Sequence, residues 1–292
     1  MTTTTPAPTI QAAGPSTGMP NDTVMVLMQL HRTTDAVGAT WPAPLSEAEA
    51  ASVATRVRAL EMFREGQRAR AAVIEAVSDG RDPFGQDITT RAVVIASIPL
   101  LLQGVYDRTD KAVATALRAH VDDILAAWAT AIGKHATALT AVAAKYNIED
   151  LDNAEAWLKR GGTAAADWGK ARAAAAAIAE AISGWQQLLV YVGLAAVGTA
   201  AGRDASLLAV YDIRLDALTE LAEAAPLRMT NTGKGTPVTK PWWRPWWAAL
   251  HGHHIAMIAS VAEYRQRVDA VAAVRSRRAA EVEAERSARG FQ

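Results

Sequence analysis

Residues 109–147 read TDKAVATALRAHVDDILAAWATAIGKHATALTAVAAKYN. Within them Leu117, Val121, Ile124, Trp128, Ala131, His135, Leu139, Val142 and Tyr146 recur at steps of three or four. That spacing gathers side chains on one stripe of an α-helix, whereas a half-buried strand would alternate at every second residue. Beyond Gly161 and Gly162 a second stripe follows: Trp168, Ala171, Ala175, Ile178, Ile182, Trp185, Leu189, Val192 and Ala196, stepping strictly by three then four. This is the period of coiled-coil-like packing. Its small alanines permit close helix approach, while the tryptophans fill space where backbones diverge.

The flanking sequence extends the same pattern. Ser46 and Glu49 have the spacing of a capping box, which predicts a helix from 46 to about 78 on Val53, Val57, Leu60, Phe63, Ile74 and Val77, stopped at Asp79 and Gly80. Asp82, Pro83 and Gly85 form a turn, and an apolar helix over about 88–106 is expected to kink or break at Pro99. A shorter helix over 204–225 carries Leu208, Tyr211, Leu215, Leu218 and Ala222. The last, over about 246–288, carries Leu250, His254, Met257, Val261, Tyr264, Val268 and Val271, after which its seam meets Arg275 and fails. The terminal turns are therefore expected in water or on a neighbouring chain. The fold class read from this is all-α: an elongated bundle of about six helices with coiled-coil-like packing and a disordered N-terminal tail. The expected divisions are a largely disordered tail at 1–45, in which the apolar run 24–30 forms a helical turn or docking strap, a helical bundle at 46–226, a Pro/Gly/Trp-rich linker at 227–247 and a C-terminal helix with a charged end at 248–292.

The chain has 292 residues, half of them hydrophobic, with 30 basic and 30 acidic side chains and no cysteine. That excludes a disulfide scaffold, a thiolate metal site, a cysteine nucleophile and a strongly basic nucleic-acid binder. The neutrality conceals an asymmetry, because 11 basic and 5 acidic residues lie from 227 onward. The first twenty residues lack the basic head and apolar core of a secretory signal, so a cytoplasmic or particle-associated location is expected.

Motifs that would carry chemistry are missing or broken. Gly233, Lys234, Gly235 and Thr236 lack the hydroxyl residue directly after lysine and the earlier glycine of a phosphate loop. Asp150 and Asp152 are followed by Ala154, which breaks a calcium-loop series. None of the six histidines follows a glutamate by three positions, the spacing used in di-iron bundles. His251 and His254 lie three apart without a third ligand nearby in sequence, and no Gly-x-Ser-x-Gly elbow occurs. No catalytic, cofactor-binding or metal-ligating residue is expected.

The most unusual segment is Pro241-Trp242-Trp243-Arg244-Pro245-Trp246-Trp247, because four indoles in six residues cannot share one helix face. Trp242, Trp243, Trp246 and Trp247, together with Arg275, Arg277 and Arg278, are the candidate interaction residues; the rings could equally clamp the linker onto its own bundle. Residues 181–202 and 92–106 are uncharged, but their polar residues and Pro99 fit buried helices better than spans. The function expected is that of a non-enzymatic structural or assembly protein with protein partners, forming a homo- or hetero-oligomer: a scaffold-like or adaptor component of a multi-subunit particle such as a virion. The alternatives are a membrane-associated helical protein using the tryptophans and a helical enzyme or ligand-binding bundle with a site between helices.

Overall fold

The computed structural model describes residues 20–80, 86–191, 207–212 and 243–289. The fold is all-α. Among the described residues there are eight α-helices: α1 (Pro20–Val37), α2 (Ala43–Ser78), α3 (Gln86–Ala119), α4 (Val121–Tyr146), α5 (Ala154–Leu158), α6 (Ala164–Tyr191), α7 (Trp243–Leu250) and α8 (Val261–Arg289). They belong to two compact units. Residues 20–26 with Pro42–His120 make one, and Leu27–Trp41 with the described residues from Val121 onward make the other. The expected tail over 1–19, the turn at Asp82, Pro83 and Gly85, the positions Val192, Ala196, Leu215, Leu218 and Ala222, and the linker up to Trp242 lie outside the described residues. Among those described, no helix is long and apolar enough to cross a membrane.

The tail expected to reach residue 45 ends much earlier, because α1 begins at Pro20. Proline suits a first helical position, where its missing N–H would be unpaired anyway. The helix stops at Gly38, whose φ of 70° is open to glycine without strain. Gly38 N–H donates to Asp35 O and Ala39 N–H to Thr34 O, the paired closure of a Schellman motif. Leu30, Thr33, Thr34 and Val37 form the buried face of α1. Trp128 of α4 donates its indole N–H to Thr34 Oγ1 at 2.9 Å, and that hydroxyl donates in turn to Leu30 O. The ring of His135 bonds Val37 O at 3.0 Å, so this histidine is a structural tie between α4 and the end of α1.

α4 and α6 pack together with α7 against both, α5 against α6, and a 3₁₀ turn at Leu207–Ala209 against α6 and α8. The predicted stripes are buried from Val121 to Val142, apart from half-buried His135, and from Ala171 to Ile182, with Trp185. α6 goes further than one stripe, since Ala174, Ala177, Ala179, Ala181 and Leu188 are buried too. A helix covered on several sides needs small side chains to let its neighbours in. Gly184 is the closest approach: a Cβ there would stand 2.6 Å from Thr33 Cγ2 and 2.6 Å from Trp128 Cη2.

Three boundaries differ from the sequence expectation. α3 continues through Pro99 and ends at Ala119, so the expected helices 88–106 and 109–147 are cut at His120 instead. Leu117 accordingly belongs to the first unit and Val121 to the second. α2 starts at Ala43 behind Pro42, with no side-chain cap, rather than at Ser46. The expected helix 246–288 is two helices, interrupted at Gly252 (φ 69°), and its stripe positions His254 and Met257 lie in the connection. That connection runs beside 209–212: Ala256 N–H donates to Val210 O, Ile258 N–H to Ala209 O and Asp212 N–H to His254 O, around an isolated bridge between Tyr211 and Ile255. Leu208 and Tyr211 are thus in a 3₁₀ turn and a bridge, not in the expected helix 204–225.

The start of α8 carries a capping signature of its own. Ser260 Oγ accepts from Glu263 N–H, and Glu263 Oε2 accepts from Ala259 N–H. Asp122, in the first turn of α4, accepts the N–H of Val261 at 2.8 Å. Arg267 donates to Leu208 O, Ala256 O and Glu263 Oε1, joining turn, connection and helix. Tyr211 is wholly buried, and burial pushes its phenol pKa upward.

In the other unit α2 and α3 form a helical hairpin. The covered face of α2 is not the one expected. Leu45, Ala59, Gly66 and Ala76 are buried, with Ser52, Arg56, Phe63, Ala69 and Val73 half-buried beside them. The predicted stripe shares only Phe63 with this seam. Small residues at Ala59, Gly66 and Ala76 let the two backbones close up, and Arg56 reaches across to Asp110 and Thr109, with its guanidinium 5.6 Å from the Tyr106 ring centre. A part-buried ion pair of this kind favours one register because sliding the helices would strand both charges.

Gly184→Ala is expected to destabilise the second unit by about 1–3 kcal/mol, the usual range for overpacking a close contact, read from chemical denaturation. An unchanged midpoint would mean that Thr33 and Trp128 move aside at no cost.

Candidate interaction site

Two of the four clustered tryptophans are described with their rings, and both are inside. Trp246 is fully buried and donates its indole N–H to Ile148 O at 2.9 Å. Its ring centre is 5.9 Å from that of Trp157, which stacks on Trp168 at 6.4 Å and meets Tyr146 edge-on at 5.2 Å. Trp168 donates to Leu151 O. Trp247 is buried, with its ring centre 4.3 Å from His251 and 5.0 Å from His253, and those two imidazoles stack 6.3 Å from each other. Trp246 ties α7 to the connection after α4 and to Trp157, and the rings of Trp246 and Trp247 are themselves buried. Trp243 starts α7, but its ring, like Trp242, lies outside what is described.

The local cause is visible at Asn147, the residue after α4, which adopts a left-handed φ of 47°. Asparagine tolerates that conformation better than most residues. The chain then turns through Ile148 and Leu151 to α5, whose N-cap Asn153 accepts from Ala156 N–H. Ile148 O and Leu151 O are thereby turned toward the two indole donors.

His251 and His254 are committed to different neighbours. The Nδ1 of His251 bonds Trp247 O, while exposed His254 faces Asp212 at 3.7 Å, not the apolar stripe expected for it. Among the described residues no group of three or more acidic or histidine side chains is placed to hold a metal ion.

A polar knot ties the end of α4 to the start of α6. Asp167 Oδ2 accepts from Lys145 Nζ at 2.7 Å, Tyr146 OH at 2.7 Å and Thr163 Oγ1 at 3.2 Å. These hydrogen bonds, led by that from Lys145, lower the Asp167 pKa from the ordinary 3.8 to about 2. Three hydrogen-bond donors converge on Oδ2 and Lys170 Nζ stands 3.9 Å from Oδ1, so the cluster staples the start of α6 to the end of α4.

Among the described residues, two exposed helix faces stand out. On α8 every residue from Ala272 to Ser287 except half-buried Arg275 is exposed, including Arg277, Arg278, Val274 and Val282. On α2 the aliphatic side chains expected in the core face outward: Val53 is 60% exposed, Val57 49%, Leu60 44% and Ile74 58%. Bulk is a poor mark of the covered face where two helices approach closely. Seam positions Ser52, Arg56, Ala59, Phe63 and Gly66 keep the same steps of four and three, and their small residues are the signal in the sequence that identifies the closer face.

Asp167, with a folded-state pKa below its unfolded value, adds stability above about pH 4, and this is lost as pH falls toward about 2. Carboxyl NMR titration should place it near 2, and Lys145→Met should move it up toward the ordinary value. Trp246→Ala should cost about 3–5 kcal/mol in denaturant titration, as for other buried rings; a loss below about 1 kcal/mol would show that α7 is not clamped by this ring. Compared with known proteins, the chain matches no family model, no curated protein and no solved structure at a significant level.

Proposed function

We propose that the chain is a non-enzymatic structural or assembly protein, a scaffold-like or adaptor component of a multi-subunit particle such as a virion. The observation that carries this reading is the outward aliphatic face of α2. Val53, Val57, Leu60, Ile74 and Val77 stand in water along a helix whose inner seam is already closed by small residues. Isolated exposed hydrophobes are ordinary, but several aligned along one rod are a feature of protein-binding surfaces. The exposed, charged end of α8 supports the same reading, since a helix that continues past its own core has side chains available to a neighbour.

In a density gradient of lysate from the native source, the chain should sediment with a large particle and keep that position at moderate salt. Recovery solely at the position of a small free protein would overturn the reading.

A further inference from the structure

The outward face of α2 has a regular period. From Val53 it continues through Val57, Leu60, Arg64, Gln67, Ala71, Ile74 and Ser78, alternating steps of four and three over nearly four heptads. All of these residues are exposed. Five of the eight positions are apolar, with Arg64 and Gln67 at the centre, and the step is that of a coiled-coil seam in which polar residues cost stability but help to fix register. The flanking charges decide which partner it fits.

We infer that this face pairs with the same face of a second copy of the chain, antiparallel about a twofold axis level with the Glu65–Gly66 peptide, with Glu61 of each copy against Arg68 of the other. This inference rests on the assembly reading above and names the partner for its surface. In this register Val57 packs on Ile74 of the second copy and Leu60 on Ala71, while Arg64 lies beside Gln67. The Glu61–Arg68 contact then occurs twice, and opposite charges flanking a seam select both partner and orientation. A parallel pair would instead set Arg64 against itself in the seam, which like-charge repulsion disfavours. The inner seam of α2 is unaffected, because Ala59, Gly66 and Ala76 stay against α3.

The test uses the full-length chain and its charge-swapped variants in sedimentation velocity over micromolar concentrations. The wild type should dimerise. Glu61→Arg alone and Arg68→Glu alone should each weaken the dimer about tenfold, since two attractive pairs become repulsive. The double variant should recover wild-type affinity, with helical circular dichroism unchanged throughout. A monomeric wild type, singles that leave the dimer unchanged, or singles that weaken it without rescue by the double would each overturn the pairing and leave the gradient result for the assembly reading standing. A rescued dimer from a chain that sediments alone in lysate would overturn the assembly reading and leave the pairing standing.

Discussion

Close approach at α6 is the constraint on which the second unit depends. Its neighbours α1, α4, α5 and α7 draw near because alanine and glycine occupy the covered positions, down to Gly184, where no side chain fits. The Trp128 ring fills the space that the missing side chain of Gly184 leaves. Trp128, Trp157, Trp185 and Trp246 are each fully buried. Of these, Trp128 and Trp246 donate to named acceptors, which offsets the cost of taking an indole N–H out of water.

The hairpin of α2 and α3 follows the same steric rule with the opposite consequence for bulk. Small residues face the partner helix, so the aliphatic residues of α2 are turned outward. Water contact at those positions is unfavourable by roughly 25 cal/mol per Å² of apolar surface. The ion pair of Arg56 with Asp110 belongs to the inner seam and keeps the hairpin in one register.

Much of the helical content was legible. Val121 to Val142 and Ala171 to Ile182 are buried as their spacing implied, because a period near 3.6 sustained over many residues is the geometry of a helix with one covered face. The failure of the α8 seam after Val271 was legible for the same reason. Periodicity does not ensure continuity, however. Leu250, His254, Met257 and Val261 keep helical steps, yet Gly252 breaks the helix and the connection pairs with Val210 and Ala209. The capping residues Ser260 and Glu263 mark the true start of α8 in the sequence. Pro99 departs from expectation in the other direction, since its helix continues.

The placement of the candidate interaction residues was the least legible feature. Trp246 and Trp247 are natural interface candidates because indoles are common there, but both rings are buried, Trp246 with its N–H on Ile148 O. By itself the sequence determined the all-α class, the two long buried stripes and the outrunning C-terminal helix, since helix propensity and periodicity are local properties of a chain. Only the tertiary structure decided where the rings of Trp246 and Trp247 lie and that Lys145, Tyr146 and Thr163 meet on Asp167. Each of those depends on which distant residue comes close, and distance along the chain carries no record of it.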